Sequence, residues 1–377
     1  MDGPSEIDLR HLERALELAE RGRGAVGSNP LVGAVVAKGE TVLGEGFHER
    51  FGGPHAEVNA LQAAAGADLR DATLYVTLEP CAHHGKTPPC TDAILAAGIK
   101  RVVVGSDDPS EKASGRGLGI LRDEGVEVVV AGGEVAQRAR LLNQPFRKHA
   151  RVGRPWVLLK LAMTLDGKVA TKAGDSQWIS GEASRRLAHS WRAELGAVVV
   201  GIGTALADDP LLTARPDGVP LPADRQPYRV VFDSLARLPV GSKLVASAGE
   251  APLVLIASRA AARSDLDALE AAGVTVLVAA GENEPARVTA ALELLGDMGI
   301  NAVLLEGGPR LAGAFFDAGE VDEVRLFLAP LLLGGRAARD PLEGEGVERI
   351  AEAVRALTFS WEPVGEDLLI TARLKEW

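Results

Sequence analysis

Leu9, Leu12, Leu16 and Ala19 recur at the spacing of one helix face, with Asp8 placed to cap the helix and Gly22 to stop it. A Gly-rich turn through Ser28-Asn29-Pro30 follows, and the apolar pattern contracts into strand-like runs at residues 32–37 and 42–47. A helix is predicted from about His55, then a strand over 73–78 that runs out at Glu79-Pro80-Cys81. Beyond Cys90 the pattern predicts a short helix to Ala97 and strands over 101–105 and 126–131. Strands alternating with helices predict a layered α/β domain.

The stretch from Pro145 to Pro155 breaks this rhythm: it is basic, flanked by prolines and weakly periodic, as a domain junction is. The chain is accordingly divided into domains at 1–148 and 154–377. The second half restarts with a strand over 156–162 and a helix over 181–195. Strands are predicted over 197–201, 228–233, 253–258 and 274–279, then a helix over 285–298 and a strand over 302–305 that meets Glu306-Gly307-Gly308-Pro309. A further helix and strands over 323–329 and 367–374 close the chain, and no repeat relates the halves.

Composition narrows the function. At 377 residues the chain has room for two cores and two activities. No run approaches eighteen apolar residues, and the first residues lack the basic and apolar regions of a secretory signal, so a cytoplasmic protein is expected. A net charge of −11 argues against nucleic acid, whose phosphates are bound through Lys and Arg. A small-molecule substrate is expected, with neither nucleic acid nor membrane as partner, and homo-oligomerisation stays open.

Two cysteines occur, Cys81 and Cys90, and without a secretion signal a structural disulfide is the weaker reading. His55-Ala56-Glu57, Pro80-Cys81 and Cys90 supply one imidazole, two thiols and a nearby carboxylate. This is the set with which zinc deaminases activate water against a nucleobase. Two thiols are too few for Cys₄ or Cys₃His structural sites, and one His with two Cys leaves a fourth position for water. Bound water becomes acidic there, and Glu57 is placed to move its protons without ligating the metal. Cys90 opens a helix after Pro88-Pro89, where backbone N–H groups favour a thiolate. The residues alone leave open a disulfide, an ordinary surface His55, or a closed structural zinc completed by His83 or His84.

Further matches make the pattern specific. Asn29-Pro30-Leu31-Val32-Gly33-Ala34-Val35-Val36, Gly46-Phe47-His48, His55-Ala56-Glu57 and Glu79-Pro80-Cys81-Ala82-His83-His84-Gly85-Lys86-Thr87-Pro88-Pro89-Cys90 follow in order. The run resembles the deaminase half of the bifunctional riboflavin biosynthesis deaminase-reductases, the RibD family. The resemblance implies a cytidine-deaminase-like α/β/α domain followed by a dihydrofolate-reductase-like α/β reductase domain. It implies one zinc ion per chain on His55, Cys81 and Cys90, with Glu57 as the catalytic proton shuttle. Asn29, His48, His83 and Lys86 would hold the phosphoribosylaminopyrimidine substrate.

The second half resembles the family's reductase through Lys160-Leu161-Ala162-Met163-Thr164-Leu165-Asp166-Gly167, Ser176-Gln177-Trp178-Ile179-Ser180, the run from Val200 to Arg215, and Glu306-Gly307-Gly308-Pro309. The resemblance implies NADPH contacts from Ala162, Trp178, Thr204, Asp208 and Ser234. Further contacts would come from the backbone of Gly308, Pro309, Arg310, Leu311, Ala312, Gly313 and Ala314. Substrate contacts would come from Ser176, Arg192, Leu212, Arg215 and Glu306. Read without the resemblance, the glycines after a strand offer N–H groups to a phosphate or form a plain tight turn. Arg192 and Arg215 suit a phosphate or a surface ion pair. No G-x-G-x-x-G follows the first strand of this half, which disfavours a Rossmann site, and NADPH over NADH rests on the resemblance alone.

The implied activity is hydrolysis of the 2-amino group of 2,5-diamino-6-(5-phosphoribosylamino)pyrimidin-4(3H)-one, then NADPH-dependent reduction of the ribosyl group to ribityl. A nucleic-acid base deaminase with an accessory domain would need a basic, aromatic groove, whereas aromatics are 4% here. A non-catalytic zinc-binding module would have no use for Glu57.

Overall fold

The structure, a computed structural model, describes residues 3–85, 88–111 and 113–377. Close packing divides the chain into two units, Met1–Val152 with Trp377, and Gly153–Glu376.

In the first unit α1 (Glu6–Glu20) precedes β1 (Gly33–Lys38) and β2 (Thr41–Phe47). Then come α2 (Ala56–Ala63), β3 (Thr73–Val76), α3 (Cys90–Ala96), β4 (Arg101–Val104), α4 (Arg116–Asp123), β5 (Glu127–Val130), α5 (Gly133–Leu142) and α6 (Gln144–Val152). The sheet order is β2-β1-β3-β4-β5, with β1 antiparallel to both neighbours and β3, β4 and β5 parallel. Alternation along the strands sends Ala34, Val36, Leu74 and Val102 to one face, against α2, α3 and α4. Val35, Ala37, Tyr75 and Val103 go to the other, against α1 and α5. Both faces are covered, which is why the strands read as unbroken apolar runs. Gly46 sets the distance between β2 and α2: a Cβ there would lie 2.3 Å from the Ala60 nitrogen. Without a side chain the helix settles onto the strand and carries its first turn, with Glu57, to the sheet's edge.

The second unit contains β6 (Trp156–Thr164), α7 (Glu182–Glu194), β7 (Ala197–Gly201), α8 (Ile202–Asp208), β8 (Tyr228–Phe232), α9 (Lys243–Ala246), β9 (Leu253–Ala257) and α10 (Arg263–Ala271). It continues through β10 (Thr275–Val278), α11 (Glu284–Asp297), β11 (Ala302–Leu305), α12 (Pro309–Asp317), β12 (Glu323–Ala329), β13 (Thr358–Val364) and β14 (Asp367–Arg373). The order is β10-β9-β8-β7-β11-β6-β12-β14-β13, parallel from β10 to β12. The last two strands run antiparallel to their neighbours. Val157, Val199, Val230 and Ile256 pack against α11 and α12, while Val198, Val231 and Leu255 pack against α8, α9 and α10.

Three local expectations are revised. The cap of α1 is Ser5, and Asp8 is its partner three residues on: each side chain accepts from the other's backbone N–H. The stretch from Pro145, read as irregular, is mostly the helix α6, because Pro145 falls in its first turn, where no N–H is needed. The expected domain end at residue 148 therefore falls inside a helix. An unforeseen strand, β13, forms the edge of its sheet, where Pro363 costs no ladder bond. Among the described residues no helix is long and apolar enough to cross a membrane.

Candidate active sites

His55 precedes α2, Cys81 follows β3 and Cys90 opens α3, so three elements bring the donors to one point. The ligand atoms lie within 4.8 Å of one another. His55 Nδ1 is 3.1 Å from Cys90 Sγ and 3.5 Å from Cys81 Sγ. Tetrahedral zinc with ordinary Zn–N and Zn–S lengths sets such atoms roughly 3.5–3.8 Å apart, so the donor set fits the ion. The hydrogen bond from Cys90, helped by His55, holds the Cys81 thiol well below its usual range despite burial, while that same pairing and burial keep Cys90 protonated. A dication would take the place of that shared proton. Glu57 is 3% exposed beside the donors, and burial pushes its carboxyl up.

A cavity of about 340 Å³ opens onto this point. Asn29, His48, His55, Glu57, Cys81 and His83 line it; Lys86 lies outside the described residues. His48 Nδ1 lies 3.0 Å from the Pro54 carbonyl, which can only accept, so Nδ1 carries the proton and Nε2 accepts from Asn29 Nδ2 at 2.9 Å. Burial, opposed by that carbonyl, lowers the His48 pKa, in keeping with a neutral ring. Asn29 is thereby oriented with its Oδ1 unused by His48. The sequence reading missed Asp108, Ser110 and Phe146, which also line the cavity. It missed Glu79 as well: this buried carboxylate accepts N–H groups from Gly115 and Gly117 at 3.1 and 3.2 Å. It thus fixes the strand end that carries Cys81 to the start of α4.

In the second unit Glu306 follows β11 and meets Arg192 of α7. The guanidinium donates through Nε and Nη2 to the two carboxylate oxygens at 2.6 and 2.9 Å, and through Nη1 to the Thr213 carbonyl at 3.2 Å. Of the two sequence readings of Arg192, a phosphate contact or an ion pair, the ion pair is present, and it uses three of the five guanidinium N–H groups. Arg215 is exposed, with no ion pair among the described residues. Leu212 is buried at φ 54, and Ser176 is half-buried in the loop before α7. Two unassigned groups join this cluster. Burial pulls the Lys160 ammonium down against the attraction of Glu306, and burial with the charges of Arg192 and Arg215 holds His189 at about 4.

Of the residues expected to meet NADPH, Gly308 and Thr204 are brought together: a Cβ on Gly308 would lie 3.4 Å from Thr204 Oγ1. Gly308 has φ −64 and ψ 171, ordinary extended backbone, so its role is closeness and not a left-handed turn. Arg310 and Leu311 are in the first turn of α12, whose N–H groups have no helical partner. Pro309, Ala312 and Ala314 are buried, and a Cβ on Gly313 would collide with the Glu343 carbonyl. Only the first turn is therefore open to a ligand. Trp178 is 66% exposed, with the Arg185 guanidinium 4.7 Å from its ring centre, and Gln177 reaches Asp208 at 3.4 Å. Ala162 is half-buried on β6, and exposed Ser234 follows β8. The close approach at Gly308 and the open helix turn beside Thr204 fit a dinucleotide phosphate.

Comparison with known proteins agrees. Residues 5–106 match the family model for the cytidine and deoxycytidylate deaminase zinc-binding region, and residues 155–370 match that for the RibD C-terminal domain. The chain is 42% identical to the riboflavin biosynthesis protein RibD of Actinobacillus pleuropneumoniae, covering 96% of this chain and 94% of that one. Acinetobacter baumannii RibD superposes with a TM-score of 0.85 at 36% identity, covering 98% of this chain and 99% of that one. The diaminohydroxyphosphoribosylaminopyrimidine deaminase/5-amino-6-(5-phosphoribosylamino)uracil reductase of Thermotoga maritima gives 0.82 at 35%, covering 98% and 99%. Fold and site together define a zinc-binding, cytidine-deaminase-like domain followed by an α/β reductase domain. The chain belongs to the RibD family of riboflavin biosynthesis proteins.

Proposed function

We infer that the enzyme is bifunctional, with zinc and NADPH as its cofactors. It hydrolyses 2,5-diamino-6-(5-phosphoribosylamino)pyrimidin-4(3H)-one to 5-amino-6-(5-phosphoribosylamino)uracil and ammonia, then reduces the ribosyl group of that product to ribityl. We assign the first step to residues 1–148 and the second to 154–377. The observation that carries the assignment is the convergence of His55, Cys81 and Cys90 beside the buried Glu57.

Zinc, held by His55, Cys81 and Cys90, supplies a Lewis acid that makes water acidic near neutral pH. Glu57 takes up a proton as water adds to the carbon bearing the amine and returns it to the departing nitrogen, so that ammonia leaves. Burial suits Glu57 to both steps, because a carboxyl with raised proton affinity is the better base and readily holds the proton between them. Asn29, oriented by neutral His48, presents its carbonyl to the ring, and His83 and Lys86 serve the phosphoribosyl arm.

In the second unit, NADPH, when bound, would supply the hydride for reduction at C1′ of the substrate. Glu306, fixed by Arg192, and Leu212 position the sugar, Ser176 contributes a hydroxyl, and Arg215 meets the phosphate. Ala162, Trp178, Thr204, Asp208, Ser234 and the first turn of α12 receive the dinucleotide.

The same reading takes a small molecule as the partner: the net charge of −11 argues against nucleic acid, and the lack of a long apolar run argues against a membrane span. It places the enzyme in the cytoplasm, where its two free thiols stay reduced. Incubation of the zinc-loaded protein with the diaminopyrimidine nucleotide tests the whole proposal. Ammonia release should precede NADPH oxidation. No ammonia would refute the deaminase assignment, and no NADPH consumption with the deaminated nucleotide would refute the reductase.

A further inference from the structure

The residues assigned to NADPH follow one edge of the second sheet. Ala162 is on β6, Gly308 follows β11, Thr204 follows β7 and Ser234 follows β8, in the spatial order β8-β7-β11-β6. Three strand spacings separate the ends of this row, on the order of 15 Å, a span suited to an extended dinucleotide. A dinucleotide whose nicotinamide lay beside Glu306 would bring its adenosine end to the turn after β8.

That turn is built on Asp233, whose side chain is wholly buried. Its Oδ2 accepts the Leu238 N–H at 2.8 Å, and Ala236, at φ 54, donates to the Asp233 carbonyl at 3.2 Å. Oδ1 has no hydrogen-bond partner among the described residues and faces Arg237 Nε at 3.7 Å. An accessible carboxylate at a strand end selects a ribose 2′-hydroxyl and repels a 2′-phosphate. Burial removes Asp233 from that role. The turn shows solvent the Ser234 hydroxyl and the Arg237 guanidinium, whose side chain is 56% exposed. The next turn, after β9, is tied to it: Ser258 donates through its N–H and Oγ to the Ser234 carbonyl at 3.1 and 2.7 Å. Arg259 follows, exposed and without an ion pair among the described residues.

We propose that Arg237, aimed by the buried Asp233, and Arg259 bind the 2′-phosphate of NADPH, with Ser234 as hydroxyl donor, and thereby select NADPH over NADH. The proposal rests on the reading of this unit as an NADPH-dependent reductase. Arg237→Gln and Arg259→Gln, singly and together in the full chain, test it by fluorescence titration with NADPH and with NADH. Loss of each charged contact should weaken NADPH roughly tenfold to a hundredfold, leave NADH unchanged, and flatten the salt dependence of NADPH binding. Asp233→Asn, which keeps the side-chain shape but releases Arg237, should also weaken NADPH selectively. Equal losses for both nucleotides, or undiminished NADPH affinity in the double variant, would overturn the proposal while leaving the reductase reading intact. A wild-type protein that binds neither nucleotide would overturn both.

Discussion

Replacing Arg192 by methionine would leave the Glu306 carboxylate enclosed without its counter-ion. The two side chains are 15% and 10% exposed, and the pair is bidentate. Burial alone would raise the Glu306 carboxyl; the charge and hydrogen bonds of Arg192, with Lys160 behind them, overcome this and hold it at about 2, against an ordinary 4.5. That gap corresponds to about 3 kcal/mol, at the lower end of the roughly 3–5 kcal/mol lost when one partner of a buried pair is removed. In a unit of this size, the melting temperature should fall by roughly 6–12 °C. Because the folded carboxyl is the stronger acid, the stabilisation is whole above pH 4.5 and disappears as pH falls toward 2, so a measurement at pH 7 registers all of it. Calorimetry of the full-length enzyme, with unfolding of the first unit as internal reference, would read the shift. Adding Glu306→Gln should restore most of the lost stability without restoring reduction, since the enclosed carboxylate is then gone and burial already favours the neutral form of Lys160. A single variant as stable as the wild type, or a double variant no more stable than the single, would refute this account of the pair.

Glu57→Ala should keep stoichiometric zinc while ammonia release falls by several orders of magnitude, whereas Cys81→Ala or Cys90→Ala should deplete zinc by elemental analysis. His189 stays neutral in the folded protein down to about 4 but titrates near 6.5 when unfolded. Denaturant titrations should therefore show stability falling from about pH 6.5 toward 4, with a shallower slope in His189→Gln. Gly308→Val should fold, because the backbone there is ordinary, yet weaken NADPH in a fluorescence titration by placing methyl groups against Thr204. Its ammonia release should be unchanged.

The strands of both units were legible because their two faces are covered, so that burial writes itself into the sequence as Val-, Leu- and Ala-rich runs. Elements whose formation depends on distant groups were not. The helix α4 has glycines within it and a left-handed Gly115 at its start, and its first N–H groups are met by Glu79, from a strand end some forty residues earlier. The strand β13 buries almost nothing, leaving Phe359 and Trp361 exposed, and exists because β14 pairs with it. Neither condition leaves a local period to read.

The sites divide along similar lines. His55, Cys81 and Cys90 could be picked out because a chain with two cysteines offers few combinations, and the structure brings those three together. Carboxylates and arginines are common, and their chemistry is conferred by burial and by what stands opposite. From sequence Arg192 suits either a phosphate or an ion pair; in the fold three of its five N–H groups go to Glu306 and the Thr213 carbonyl, so it fixes that carboxylate. Asp233, at a strand end, is wholly buried and faces Arg237 Nε at 3.7 Å. In both cases burial and the facing side chain, not residue type, decide what the group pairs with. A search confined to residues of suitable chemistry therefore finds the metal centre but not which charged groups of the second unit the fold has already paired.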